Sequence, residues 1–256
     1  MYYLATHIRV VAALLIREMS SRFGNKPGGY IWALLDPAAH IAFLCAIFMS
    51  LARAPALGTS FPLFFATGYL AFQFYQATQG FVSAAIKSNQ TLLSYPNVAP
   101  IDTVVARYLL QFGTTAFVAI VVIATIMLTM RHAPEIRWAF VVEAAFAASL
   151  LALGIALFNN VAFVQFPAYE QFFSIISRPM FMISGVFFVP DAIPHPYRDV
   201  ILFNPVAHVL MLFRKGFYPE YRAIGMDMGY LYGVASVLIF IGLFTFTISD
   251  SILRRK

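Results

Sequence analysis

"VVARYLLQFGTTAFVAIVVIATIMLTM", residues 104–130, carries one charge, Arg107, in a run long enough to cross a bilayer as helix. A crossing needs about 20 apolar residues. Five further runs with almost no charge lie at 32–51, 61–84, 138–165, 172–189 and 229–249. The chain is 61% hydrophobic and 11% charged, against about 45–50% and about 25% in soluble domains. These runs predict an all-α integral membrane protein with six transmembrane helices. No stretch between them is long enough for a soluble domain, so residues 1–256 are expected to form one transmembrane domain.

Within residues 1–30, "VVAALLI" between Arg9 and Arg17 has the minimum apolar length of a signal sequence, but no Ala-x-Ala site follows it, and the segment is expected to be retained. Leu4, Ile8, Val11, Leu15 and Met19 recur at three- and four-residue spacing, with Arg9, Ala13, Arg17 and Ser20 on the other side. This is the pattern of an amphipathic helix lying in the membrane interface, its basic heads toward lipid phosphate. Arg9, Arg17, Arg22 and Lys26 precede the first run and only Arg53 follows it, which places the N-terminus in the cytoplasm. Six spans return the C-terminus to the same side, where Arg254, Arg255 and Lys256 agree. The segments on the expected outer side are also basic: Arg131, Arg137, Arg198, Arg214, Lys215 and Arg222.

Several functions are excluded by what the spans lack. Cys45, the single cysteine, falls inside the first run and rules out an intrachain disulfide or a cysteine-cluster metal site. A formal charge of +6 spread over both sides suits anionic lipid or an anionic substrate better than nucleic acid. Intramembrane ionisable residues mark ion pathways, yet Asp36, Arg178 and Asp250 sit near run ends and Glu143 a little way into the fourth. Matched Gly/Pro-broken helices are missing as well. Asp36 and His40, with Pro37 between them, read as the polar, Pro-started first turn of a span. No HExxH, GxSxG or GxxxxGK[ST] occurs, so neither an enzyme nor a cofactor is expected in this chain. Gly225, Gly229 and Gly233 have the spacing of a close helix contact. Asn89-Gln90-Thr91 fits a glycosylation sequon, but the expected topology puts it in the cytoplasm.

Two segments remain. In the first, residues 86–102 on the cytoplasmic side, Lys87 to Leu93 form one or two helical turns, Pro96 and Pro100 stop them, and Asp102 beside Thr103 offers an N-cap for the third span. A proline-bounded knob at the membrane surface is a handle for a soluble partner. The second is the outer segment 190–222. Its "VILFNPVAHVLMLF" is too short to cross and breaks at Asn204 and Pro205, which predicts re-entrant half-helices between spans five and six. Tyr197, Phe203, Tyr218 and Tyr221 are available to line or anchor them.

"REMSSRFG", "GYIWALLDPAAH", "NQTLLSYPNVAPIDTVVAR", "ISGVFFVPDAIP" and "FNPVAHVLMLFRKGF" follow one another in the order seen in the membrane subunit of type-2 ABC exporters. Across nearly its whole length the chain most closely resembles the capsular polysaccharide export permeases. The aromatic-rich "FPLFFATGYLAFQFYQ" departs from that pattern. The resemblance implies a homodimer in the bacterial inner membrane, with two copies of a cytoplasmic ABC ATPase that bind ATP and Mg. It further implies periplasmic and outer-membrane export proteins as partners and a lipid-linked polysaccharide as cargo. By the same resemblance Asn89, Gln90, Leu92, Leu93 and Tyr95 dock on the ATPase, and Arg9, Arg17, Arg22 and Lys26 lie near the lipid phosphate. Tyr197, Phe203, Asn204, Tyr218 and Tyr221 would form the outer gate. The competing cargoes are O-antigen, teichoic acid or a small molecule. A lipid-linked sugar transferase would need His and acidic residues converging on one side, whereas His7, His40, His132, His195 and His208 are dispersed.

Overall fold

Helices alone build the computed structural model, which describes residues 2–24, 28–52, 54–95, 98–249 and 253; no strand occurs among them. The chain runs through α1 (Tyr2–Phe23), α2 (Gly29–Leu51), α3 (Phe61–Ser83), two single turns α4 (Ala85–Ser88) and α5 (Gln90–Leu93), then α6 (Pro100–Thr129), α7 (Trp138–Gln165) and α8 (Pro167–Ile183). A 3-10 turn at Pro190–Ala192, α9 (Tyr197–Leu202), α10 (Pro205–Lys215) and α11 (Met228–Ile248) complete it. Lys26, Arg53, Pro96, Asp250, Arg254, Arg255 and Lys256 lie outside the described residues.

Four helices are long and apolar enough to cross a membrane: Ile31–Leu51, Pro100–Thr129, Trp138–Gln165 and Met228–Ile248. The other two expected runs become α3 and α8. The polar Thr67, Thr78 and Gln79 of α3 are buried in protein, because α3 is enclosed by α2, α6, α7 and α10. The run expected at 172–189 is shifted and shortened. Pro167 opens α8, where a proline loses no helical bond, and the chain turns after Ile183 at Gly185, φ +86°.

Two further local expectations are corrected. Asp36 and Pro37 stand about two turns inside α2, which starts after Gly28 in a left-handed conformation. The N-cap of α6 is Ala99, with Pro100 as the first helical residue, and Asp102 reaches back to accept the Ala99 N–H at 3.1 Å. On α1, Leu14, Glu18 and Phe23 are buried, while Ile8 is 61% and Met19 37% exposed. Glu18 pairs with Arg107 and Arg22 donates to Gln111, so polar side chains join α1 to α6 beside the apolar stripe.

The close helix contact lies elsewhere than expected. Gly225 is in a loop at φ +88° and a methyl on Gly233 would meet open space. Instead α7 and α11 meet at Gly154 and Gly242: a Cβ on Gly242 would stand 2.6 Å from the Gly154 carbonyl oxygen, and one on Gly154 2.7 Å from Ile239 N. Backbone-to-backbone approach of this kind maximises dispersion contact where apolar burial no longer drives association. Gly154→Leu or Gly242→Leu is therefore expected to lower the unfolding midpoint of the detergent-solubilised protein by several degrees, an overpacking cost of about 1–3 kcal/mol. Gly233→Leu should leave it unchanged.

Candidate functional site

At one end of α3 the chain breaks between α4 and α5, and Asn89 occupies the break. Its side chain is buried, and Nδ2 donates to Glu18 Oε1 at 2.8 Å and to the Ala85 carbonyl at 2.9 Å. Glu18 in turn pairs with Arg107 of α6: Nη2 donates to Oε2 at 3.1 Å, and Nε lies 3.1 Å from Oε1. Both side chains are 7% exposed. Arg107 Nη1 also donates to the Phe81 carbonyl at 3.2 Å. Arg107 and Arg22 both lie over the Phe81 ring, 4.6 and 4.5 Å from its centroid, and Arg22 Nη1 donates to Gln111 Oε1 at 2.6 Å. Burial first, and the neighbouring Arg107 second, lower the pKa of Arg22 from its usual value, while Glu18 opposes them. A buried carboxylate thus joins α1, the α4–α5 segment and α6.

The same segment is braced from α7. Asn160 Oδ1 accepts the Ile86 N–H at 3.0 Å and its Nδ2 donates to the Val82 carbonyl at 2.9 Å, so one amide satisfies backbone freed where α3 gives way to α4. Lys87 pairs with Glu170 of α8 at 2.7 Å on the surface, and His7 meets Asp102 at 3.0 Å. Of the residues expected to dock on a partner, Gln90 and Tyr95 are exposed and Leu92 is half-buried. Asn89 and Leu93 are buried and serve the fold. Arg9 and Arg17 are exposed, whereas Arg22 is half-buried in the cluster just described.

At the other end of α3 sits Arg214. The sequence reading counts it among the outer basic residues, but the structure buries it completely. Its Nη1 donates to the carbonyls of Gly185 (2.7 Å) and Phe188 (2.9 Å), its Nη2 to that of Val186 (2.8 Å), and Cζ lies 4.3 Å from the Phe64 ring centroid. Gly68 leaves the room: a Cβ there would come within 2.7 Å of Nη2. Three carbonyls of the turn after α8 are thereby tied to α10.

Around this pin, Asn204 caps α10 by accepting the Val206 N–H at 3.0 Å and donates to Ser184 Oγ at 3.0 Å. His208 donates from Nε2 to the Leu202 carbonyl at 2.8 Å and accepts the Asp227 N–H on Nδ1 at 3.0 Å. Tyr221 is buried, with its hydroxyl donating to Asp191 at 3.2 Å. Tyr218 is half-buried against Gly58. Tyr197 and Phe203 are 69% and 76% exposed. Asn204, Tyr218 and Tyr221 are therefore built into the structure, whereas Tyr197 and Phe203 stand at its surface.

Residues 9–218 match the family model for ABC-2 type transporters. The chain belongs to this family. It is 33% identical over 244 residues to the polysialic acid transport protein KpsM of Escherichia coli, covering 91% of this chain and 90% of the relative. It is 26% identical over 242 residues to the capsule polysaccharide export inner-membrane protein BexB of Haemophilus influenzae, covering 94% and 91%. With the O-antigen export system permease protein RfbA of Klebsiella pneumoniae it shares 20% over 245 residues, 93% of each chain. This ABC-2 transporter chain is thus a transport component, and Glu18, Asn89, Arg107 and Arg214 all fall within the matched range.

Glu18, Arg107, Asn160 and Arg214 escape a reading of the sequence because their partners lie far along the chain. One faint signal is available: Glu18 is a lone acid among the basic and apolar residues of α1. Removing one member of a buried ion pair strands the other, at about 3–5 kcal/mol. Glu18→Ala and Arg107→Ala should each lower the thermal midpoint sharply, and the double variant should lose less than the sum of the two in a double-mutant cycle. Arg214→Lys should also destabilise, since an ammonium cannot reproduce a planar fork that reaches three carbonyls and lies over a ring.

Proposed function

We propose that this chain is the membrane-spanning permease subunit of an ATP-driven exporter that moves lipid-linked capsular polysaccharide across the bacterial inner membrane. The observation that carries the reading is the end-to-end similarity to capsule and polysialic acid exporters. The O-antigen reading rests on a more distant match. In this reading α3 and α8 join the four long apolar helices as spans, α9 and α10 form the re-entrant pair, and both termini face the cytoplasm. A second copy of the chain and two ABC ATPase subunits complete the machine, and the ATPase supplies the ATP and Mg chemistry. Periplasmic and outer-membrane export proteins would receive the polymer.

The geometry supports a division of labour. Gln90, Leu92 and Tyr95 offer the surface that an ATPase would press, while Asn89 and Leu93 anchor that surface to the bundle. Displacement of α4–α5 reaches α1 and α6 through Glu18, because the carboxylate is hydrogen-bonded to one and ion-paired with the other. Arg9 and Arg17 on the exposed side of α1, together with Arg22 and Lys26, would attract the lipid phosphate. The outer gate is formed by residues 190–222 and held by the Arg214 pin. Because α8 buries none of its residues within one chain, it has a face free for the second copy.

Deleting the gene in its host should leave full-length polymer inside the cell and none at the surface. Loss of polymer everywhere would point to synthesis instead, and unchanged surface polymer would overturn the assignment of cargo. In a complemented strain, Gln90→Ala with Tyr95→Ala should reduce surface polymer severalfold without moving the thermal midpoint. Asn89→Ala should lower both.

A further inference from the structure

The long helix α8 is lightly committed to the rest of the chain: none of its residues is buried. It packs mainly on α7, and near its far end Phe181 meets the rings of His40, Tyr69 and Phe72. One residue, Phe166 at φ −129° and ψ 85°, separates α8 from α7. Pro167 then has no N–H with which to continue the helical ladder across the joint. Such a joint lets α8 swing as a unit, so whatever holds its first turn sets where the helix points.

Two adjacent side chains of that first turn reach the place where α3 gives way to α4. Glu170 pairs with Lys87 of α4 at 2.7 Å, both side chains lying at the surface. Tyr169, half-buried, donates from its hydroxyl to Asn159 Oδ1 at 3.2 Å. Asn159 is completely buried and donates from Nδ2 to Ser83 Oγ at 3.3 Å, an oxygen that also accepts Gln79 Nε2 at 2.9 Å. Ser83 is the last residue of α3. Because the neighbouring Asn160 holds the Val82 carbonyl and the Ile86 N–H, consecutive amides of α7 grip both sides of the break. α8 is therefore tied to that break twice, by a buried amide and by a surface ion pair. A pair this exposed adds little stability, so its effect is on position.

We infer that Lys87, Glu170 and Tyr169 are positioning residues that carry displacement of α4–α5 into a swing of α8 about Phe166. The inference rests on the export reading, in which an ATPase presses on α4–α5 and α8 faces the second copy. It names the route by which that stroke reaches the surface between copies, separate from the Glu18 route that ends on α1 and α6. The lever is favourable: Glu170 is four residues from the joint and Ile183 is seventeen. At about 1.5 Å per residue, a push of about 1 Å at Glu170 moves the far end of α8 by about 4 Å.

The test uses the full-length chain carrying Cys45→Ser, spin-labelled at Phe172→Cys on α8 and Phe240→Cys on α11, both exposed positions. It is reconstituted in lipid nanodiscs, diluted with unlabelled chain, and the label separation is read by pulsed dipolar EPR. Lys87→Glu and Glu170→Lys should each shift and broaden the distance distribution. Without the labels, each should lower surface polymer in a complemented deletion strain by about fivefold, low in the range of coupling between sites. Lys87→Glu combined with Glu170→Lys should restore both readouts, with the thermal midpoint unmoved throughout. Tyr169→Phe keeps its ring against Phe158 and Phe163 and should also shift the distance, which carries the test if a charge reversal upsets folding.

A double swap that leaves polymer as low as the single variants overturns the proposal and gives Lys87 to the ATPase surface instead. Distances that neither Lys87→Glu nor Tyr169→Phe changes overturn it as well. The export reading is judged separately, by whether the parent chain restores surface polymer to the deletion strain. Restored polymer with unresponsive labels sinks the α8 route alone. Responsive labels without restored polymer sink the cargo and leave Lys87, Glu170 and Tyr169 as the residues that hold α8.

Discussion

A charge buried in a low-dielectric bundle has to be paired, and the Glu18–Arg107 pair is the contact on which one end of this molecule depends. Neither residue can be withdrawn from the other without leaving an uncompensated ion among apolar side chains. Because Glu18 belongs to α1 and Arg107 to α6, their pairing fixes how the N-terminal helix lies on the bundle. Because Asn89 donates to the same carboxylate, it also fixes where the break between α4 and α5 falls. Hence α1 turns Leu14 and Glu18 inward and leaves the apolar Ile8 and Met19 exposed.

The opposite end obeys the same constraint with a different partner. Arg214 has no carboxylate among its hydrogen-bond partners; its guanidinium is satisfied by three backbone carbonyls and lies over Phe64. Those carbonyls belong to an irregular turn that could not be buried unless its polar backbone were paired. Each feature therefore makes the other tolerable. Short helices such as α9 and α10 can hold position because side chains, including Asn204 and His208, take up backbone groups that a continuous helix would have paired for itself.

Between these two ends the packing is a matter of shape. Gly154 and Gly242 let α7 and α11 approach backbone to backbone, while α3 buries polar residues that would be costly against lipid. Apolar side chains on α8 and α1, among them Phe172, Ile175 and Ile8, stay exposed in the single chain. Each end of α3 is thus anchored by a buried arginine, Arg107 at one and Arg214 at the other.

The sequence by itself determined the class of molecule. Long uncharged runs admit no fold but a helical membrane protein, and periodicity, proline position and basic residues located α1, the break before α6 and the split at Asn204. These are local properties, set by residues within a turn or two of one another. It was less informative where neighbours in space are distant in the chain. The 172–189 run ended early because Gly185 turns the backbone, Asp36 lay inside a helix because Gly28 started α2 sooner, and Arg214 was buried because carbonyls 29 to 26 positions earlier in the chain accept its donors. Only the tertiary structure decided that Glu18 pairs with Arg107, 89 positions away, and that Gly68 makes space for Arg214. The physical reason is that a charge or a glycine gains its role from what packs against it, and no local pattern encodes that partner.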